Sequence, residues 1–190
     1  MPKFILDRRF PIVMRALREA LRPWPWCLIG GRAVEVWTNP PQTPDVDVLA
    51  AVEDEHEPLL TARMAKAGVA LNDRATGLGS PMLFYVHKRT RVEADVLGAY
   101  EPMHYAMIRE SVRRTVQATR FRVAHAEGVV MLKAQAAVDV GRPVEKRSRD
   151  RRAILAVASS VRLKKHYIRQ TLAEHQWTEE AALLRLLRVI

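Results

Sequence analysis

The feature that most constrains this chain is a pair of aspartates one residue apart, Asp45 and Asp47, inside the apolar run "DVDVLAAV". In an extended strand successive side chains alternate faces, so the two carboxylates share a face about 7 Å apart while Val46 and Val48 point into a core. Carboxylates side by side repel and raise each other's pKa unless positive charge lies between them. A divalent cation supplies that charge, and hard oxygen ligands suit Mg²⁺. Upstream, a short apolar run ends in Gly30 and Gly31, whose backbone N–H groups can approach phosphate oxygens where a helix begins. Downstream, "RVEADVLGA" carries Asp95, with Glu93 on the same face as an alternative ligand. If that strand neighbours the first, a third carboxylate completes a two-ion site.

The surrounding pattern predicts an α/β layer arrangement. Ile12, Val13, Leu17 and Leu21 recur at helical spacing until Pro23 and Pro25, and Trp26 to Ile29 then reads as a buried strand. The glycine pair turns into a short helix, "RAVEVWT", and prolines 40, 41 and 44 exclude regular structure until the aspartate strand. Asp54 with Glu57 reads as an N-cap and acidic N3 residue of a helix reaching Gly68. A Gly-rich loop follows, then two strands joined by a basic turn at Lys88 to Thr90. From His125 onward three stretches are helical in period, which places a soft boundary near 124: a core over 1–124 and a helical region over 125–190.

Charge and composition narrow the partners. A formal net charge of +10 favours a polyanion, although a solvated basic face accounts for it equally well. The single cysteine, Cys27, excludes an intrachain disulfide and a multi-cysteine zinc site, so a cytoplasmic setting is the expectation. No stretch approaches the roughly 20 apolar residues that span a bilayer, so no membrane partner is expected. The histidines show no metal-ligand spacing, and Ser80 and Ser111 have no base arrangement beside them.

These residues resemble the DNA polymerase beta-like nucleotidyltransferase superfamily. Its signature is read here as Ile29, Gly30, Gly31, a gap from Arg32 to Pro44, then Asp45, Val46, Asp47, Val48, with Asp95 in "EADVL" matching the third carboxylate by context. Within the superfamily the chain resembles the AbiEii-like enzymes of abortive-infection and toxin–antitoxin systems. The matching residues are Thr43, Asp45 and Asp47, then Leu132, Lys133 and Ala136, then Arg149 and Asp150. Two positions depart from that pattern: Gln42 where relatives often carry a basic residue, and Ala153 where they often carry a second Asp.

The resemblance implies an α/β (α+β) fold, a mixed sheet flanked by helices with a helical C-terminal part. It implies Mg²⁺, two ions held by Asp45, Asp47 and Asp95, and an NTP contacted by Gly30, Gly31, Arg32, Thr43 and Lys133. The expected reaction moves a nucleoside monophosphate to an acceptor hydroxyl, RNA and especially a tRNA 3′ end, with a cognate antitoxin as protein partner. Lys133 either snorkels its charge to water or reaches the triphosphate. Asp150 is either a salt-bridge partner of Arg147 or Arg151 or, with Arg149, part of the site. An antibiotic of the aminoglycoside type or a protein remains an alternative acceptor, and a catalytically silent relative that binds RNA or a partner remains an alternative to an enzyme.

Overall fold

The computed structural model describes residues 8–38, 43–77, 80–116 and 119–190. Gln42, Pro40 and Pro41 lie outside the described residues. Helix α1 (Phe10–Ala20) buries Phe10, Val13, Met14, Leu17 and Ala20, an i, i+3, i+4, i+7 stripe that joins the core and packs beside α3. It leads to β1 (Trp26–Ile29), α2 (Gly30–Thr38) and β2 (Val46–Ala50). A 3₁₀ turn (Asp54–His56), α3 (Glu57–Lys66), β3 (Val69–Gly77), β4 (Ser80–His87) and β5 (Glu93–Gly98) follow. The chain continues through α4 (Pro102–Glu110), β6 (Val112–Val116) and β7 (Thr119–Val123). It closes with α5 (Ala126–Val138), α6 (Val144–Ser160), α7 (Lys165–Glu174) and α8 (Thr178–Leu186).

The strands form one seven-stranded mixed sheet in the order β3-β4-β5-β2-β1-β7-β6. β1 pairs antiparallel with β2 and parallel with β7, and β2 pairs parallel with β5. Val46 and Val48 on β2 and their register partners Ala94 and Val96 on β5 are buried, so one face of the centre is apolar. A buried cluster continues from α1 and these strands into Val129, Val130 and Ala134 of α5 and Ile154 of α6. α5 packs on both α2 and α6, which brings the C-terminal helices to the end of β2 where the aspartates lie. Among the described residues no helix is long and apolar enough to cross a membrane.

Several elements differ from the sequence expectation. Residues read as a Gly-rich loop include β3, whose register against β4 shifts between Leu71 and Asp73. That bulge breaks the alternation by which a strand is recognised. Asp54 opens the 3₁₀ turn and caps nothing, because the residue before that turn has extended backbone and α3 starts at Glu57. Glu57 is buried and pairs with Arg74 of β3. The turn at Lys88 to Thr90 is present, closed by the Arg91 N–H donating to the His87 carbonyl and by the Thr90 N–H donating to His87 Nδ1.

Candidate active site

The end of β1 fixes the site. Ile29 is the register partner of Asp47, so the chain leaving β1 must turn immediately beside the Asp47 side chain. Gly30 makes that turn at φ +63°, and a Cβ there would stand 1.8 Å from Asp47 Oδ2. Left-handed backbone and absent space both require glycine at this position. At Gly31 a Cβ would stand 2.6 Å from Thr43 Cγ2, so the second glycine admits the loop that delivers Asp45. The Gly31 N–H donates to Asp47 Oδ2 over 3.3 Å, so this amide, expected on a phosphate, is here engaged by the carboxylate.

Asp47 and Asp95 are register partners across β2 and β5, which puts the two side chains next to each other on one face. Asp45 lies one residue before β2, half-buried, at the same end of the sheet. Burial is the main cause that pushes Asp47 above the usual carboxylate range. Lys133 opposes the shift most strongly, followed by the Gly31 amide; Asp45 adds to it and Arg142 opposes it. Burial likewise raises Asp95, to about 7, reinforced in turn by Asp47, Glu93 and Asp45 and opposed by Lys146. At Asp95 the neighbouring carboxylates add to the effect of burial, whereas at Asp47 the Lys133 ammonium outweighs the charge of Asp45. Three carboxylates brought to one end of the sheet form a cluster of hard oxygen donors that fits a divalent cation.

Among the described residues, the one trio of ligand atoms lying within 4.8 Å of one another is Glu53, Glu55 and His56. It sits beyond the far end of β2, on the solvent side, and the aspartates are the more open arrangement. An exposed acidic group of that kind is common without a metal, whereas the half-buried carboxylates in register across β2 and β5 are held together by the sheet.

The C-terminal helices supply the cations. Lys133 Nζ on α5 donates to Asp150 Oδ1 over 2.6 Å, and Arg142 Nη2 donates to Asp150 Oδ2 over 3.3 Å. Asp150, 3% exposed, is therefore a salt-bridge acid whose partners are Lys133 and Arg142, not Arg147 or Arg151. Lys133 neither snorkels freely nor stands alone: the same ammonium that pairs with Asp150 acts on Asp47. Arg149 is exposed on α6.

Arg32 is the third residue of α2. It is fully buried, its Nη1 paired with Glu35 Oε2 at 3.1 Å and its guanidinium 4.7 Å from the centroid of Phe10, so it offers a nucleotide no accessible surface. The other Glu35 oxygen accepts from the Thr43 N–H. Arg32 and Glu35 thereby hold the start of the aspartate loop against α2, and half-buried Thr43 fills the space left by Gly31. Sequence reasoning missed Glu35 and Lys146. Glu35 lies on the helix after the glycine turn, one turn beyond Arg32, and that i, i+3 opposite-charge pair was its signal. Lys146 is one of several cations in the basic stretch Arg142 to Arg152, so spacing alone does not single it out.

No family model matches the chain, and no curated protein matches its sequence. Solved structures do resemble its fold. The antibiotic-resistance factor ANT(2'')-Ia, studied in solution, is 14% identical with a TM-score of 0.56, over 91% of this chain and 94% of that one. ANT(2")-Ia in complex with adenylyl-2"-tobramycin is 16% identical with a TM-score of 0.54, over 94% and 97%. An antigenic nucleotidyltransferase-like protein from Paracoccidioides brasiliensis is 14% identical with a TM-score of 0.53, over 93% and 91%. With its mixed sheet and flanking helices, this chain has the fold of the nucleotidyltransferases.

Proposed function

We propose that the chain is a Mg²⁺-dependent nucleotidyltransferase that moves a nucleoside monophosphate from an NTP to an RNA hydroxyl. The observation that carries this reading is the register pairing of Asp47 with Asp95 beside the Gly30–Gly31 turn. Asp45, Asp47 and Asp95 would hold the metal, two ions by the carboxylate count. Bound Mg²⁺ neutralises the triphosphate and the charge that develops on its transfer. The chain's residues do the rest. Asp95 orients the acceptor hydroxyl and takes its proton as the acceptor oxygen forms its bond to the α-phosphorus, and the α–β bridging bond breaks to release pyrophosphate. Lys133 and Arg142, held by Asp150, face the phosphates; Gly30, Gly31 and Thr43 shape the turn against which they lie. In this reading 1–124 is the catalytic core and 125–190 the helical region that contributes the cations.

The net charge of +10 and the exposed basic residues of α6, Lys146 and Arg149 among them, support RNA as acceptor, with a tRNA 3′ end the specific expectation. The AbiEii-like pattern at Thr43, Asp45, Asp47, Lys133 and Asp150 supports a cytoplasmic toxin restrained by a cognate antitoxin. The complex of ANT(2")-Ia with adenylyl-2"-tobramycin favours a second reading, an antibiotic acceptor. A strongly basic chain repels a polycation such as an aminoglycoside, which ranks that reading lower.

The test offers the protein Mg²⁺ and each α-labelled ribonucleoside triphosphate with small RNA, and with tobramycin in parallel. Label at the RNA 3′ end supports the proposal, and label on tobramycin replaces the acceptor. If nothing is labelled and Asp45→Asn still binds RNA like wild type, a silent binding protein is the better description.

A further inference from the structure

We infer that the C-terminal helical layer carries a second anion site, a cleft that receives the phosphate of a nucleotide independently of the aspartate site. The cleft measures about 440 Å³ and opens where the end of α6, the start of α7 and the segment after α8 meet. That volume falls among small-molecule sites. Val161, Leu163 and Val189 form apolar wall, and Arg162, Lys165 and Arg188 bring three cations to it with no acidic residue in the lining. α6 runs from Val144 to Ser160, so its end lies about 20 Å from Lys146, which acts on Asp95. The cleft is therefore separate from the carboxylate cluster.

Two observations point to a ligand. First, the three cationic side chains are exposed at the mouth of one cleft, and among the described residues none has a hydrogen-bonding or ion-pair partner. Cations gathered around one cleft repel, and a bound anion relieves that repulsion. Second, Arg188 occupies a glycine's position. α8 ends with Arg188 N–H donating to the Arg185 carbonyl and Val189 N–H to the Leu184 carbonyl, both 2.9 Å, with Arg188 at φ +58°. This is the six-residue C-terminal motif whose left-handed residue is usually glycine. An arginine there strains the backbone and places its guanidinium on the cleft.

The chemistry selects a phosphate ester. A phosphate monoester carries up to two negative charges and matches guanidinium forks. The aliphatic wall and the guanidinium planes accept a flat apolar body such as a base. A nucleotide combines the two.

Arg188→Gly makes the test clean, because it removes the guanidinium while relieving the backbone. The probes are AMP and a short single-stranded RNA, titrated without Mg²⁺ into the whole protein and followed by calorimetry and amide chemical shifts. AMP is expected to bind and to shift the amides at the start of α7. Arg188→Gly and Lys165→Ala should each weaken it by about tenfold, the loss of one charge-assisted hydrogen bond. Arg188→Gly should also raise the melting temperature, which shows that the loss is not unfolding. Tighter binding of RNA than of AMP, with the excess lost in both variants, identifies a nucleotide within a chain; equal binding identifies a free one. Unchanged AMP affinity in both variants, or no saturable binding of either probe, overturns the inference and leaves the transfer reaction untouched.

Discussion

Asp47 and Asp95 stand in register across the parallel pair β2 and β5, and Asp47 also accepts the Gly31 N–H that follows β1. Two carboxylates so placed make stability depend on pH in an unusual direction. Both have pKa values above the ordinary 3.8, with Asp95 at about 7. An acid whose folded pKa exceeds its unfolded value binds more protons when folded, so stability falls as pH rises from the unfolded value to the folded one. In EDTA, the melting temperature is expected to drop between about pH 4 and about pH 7, and Asp95→Asn to flatten that slope. Mg²⁺ should raise the melting temperature more at the higher pH, where the ligands are charged. A wild-type profile in EDTA that rises across the interval would contradict the shared-charge picture.

Gly30→Ala tests the turn. The new Cβ meets Asp47 Oδ2 at 1.8 Å on a backbone held at φ +63°. The strained backbone alone costs about 1–2 kcal/mol, and the carboxylate must move as well. A displacement near 1 Å at a reacting centre lowers transfer by about 100-fold. Denaturant unfolding and label transfer measured on the same preparation separate the two effects.

The parts legible in the sequence were those with local signals. Trp26 to Ile29 is a strand because prolines bound it on one side and glycines on the other, and the alternation of Asp47 with Val46 and Val48 told the faces apart. The pairing of Asp95 with Asp47 was open, because parallel neighbours are joined through crossovers and their register is set by packing across the sheet. β6 escaped notice since it is an edge strand carrying Arg113 and Arg114, charges that protect an edge and erase the apolar pattern. Asp150 was read against its nearest arginines, yet its partners come from 17 and 8 residues away. Local spacing on a helix says nothing about an ammonium arriving from another helix.

Gln176 gives an independent check on the helical region. It ends α7 at φ +58°, with its N–H donating to the Ala173 carbonyl and the Trp177 N–H to the Leu172 carbonyl. The left-handed conformation disfavours a side chain by about 1 kcal/mol, so Gln176→Gly should stabilise by that amount. For a chain of this length that is roughly 2–4 °C in melting temperature. Gln176→Ala should gain nothing, and equal melting points for the two variants would count against the assigned backbone.

The Lys133–Asp150 pair separates structure from chemistry. Asp150 is buried and carries two charge-assisted bonds, so Asp150→Asn removes a charge from under Lys133 and Arg142 without changing shape. Breaking one side of such a pair costs about 3 kcal/mol when fully buried, and less here because Lys133 and Arg142 retain some solvent. Replacing both partners by apolar groups of similar size often restores stability, so Lys133→Met with Asp150→Leu should unfold closer to wild type than Asp150→Asn does. Nucleotide affinity should not recover with it. Lys133 acts on Asp47 as well as on Asp150, and its ammonium is the group proposed to meet the triphosphate. A doubly apolar variant that is stable and binds NTP as tightly as wild type would make the pair a packing feature. A stable variant with weakened NTP binding assigns the lysine to the substrate and the aspartate to holding it there.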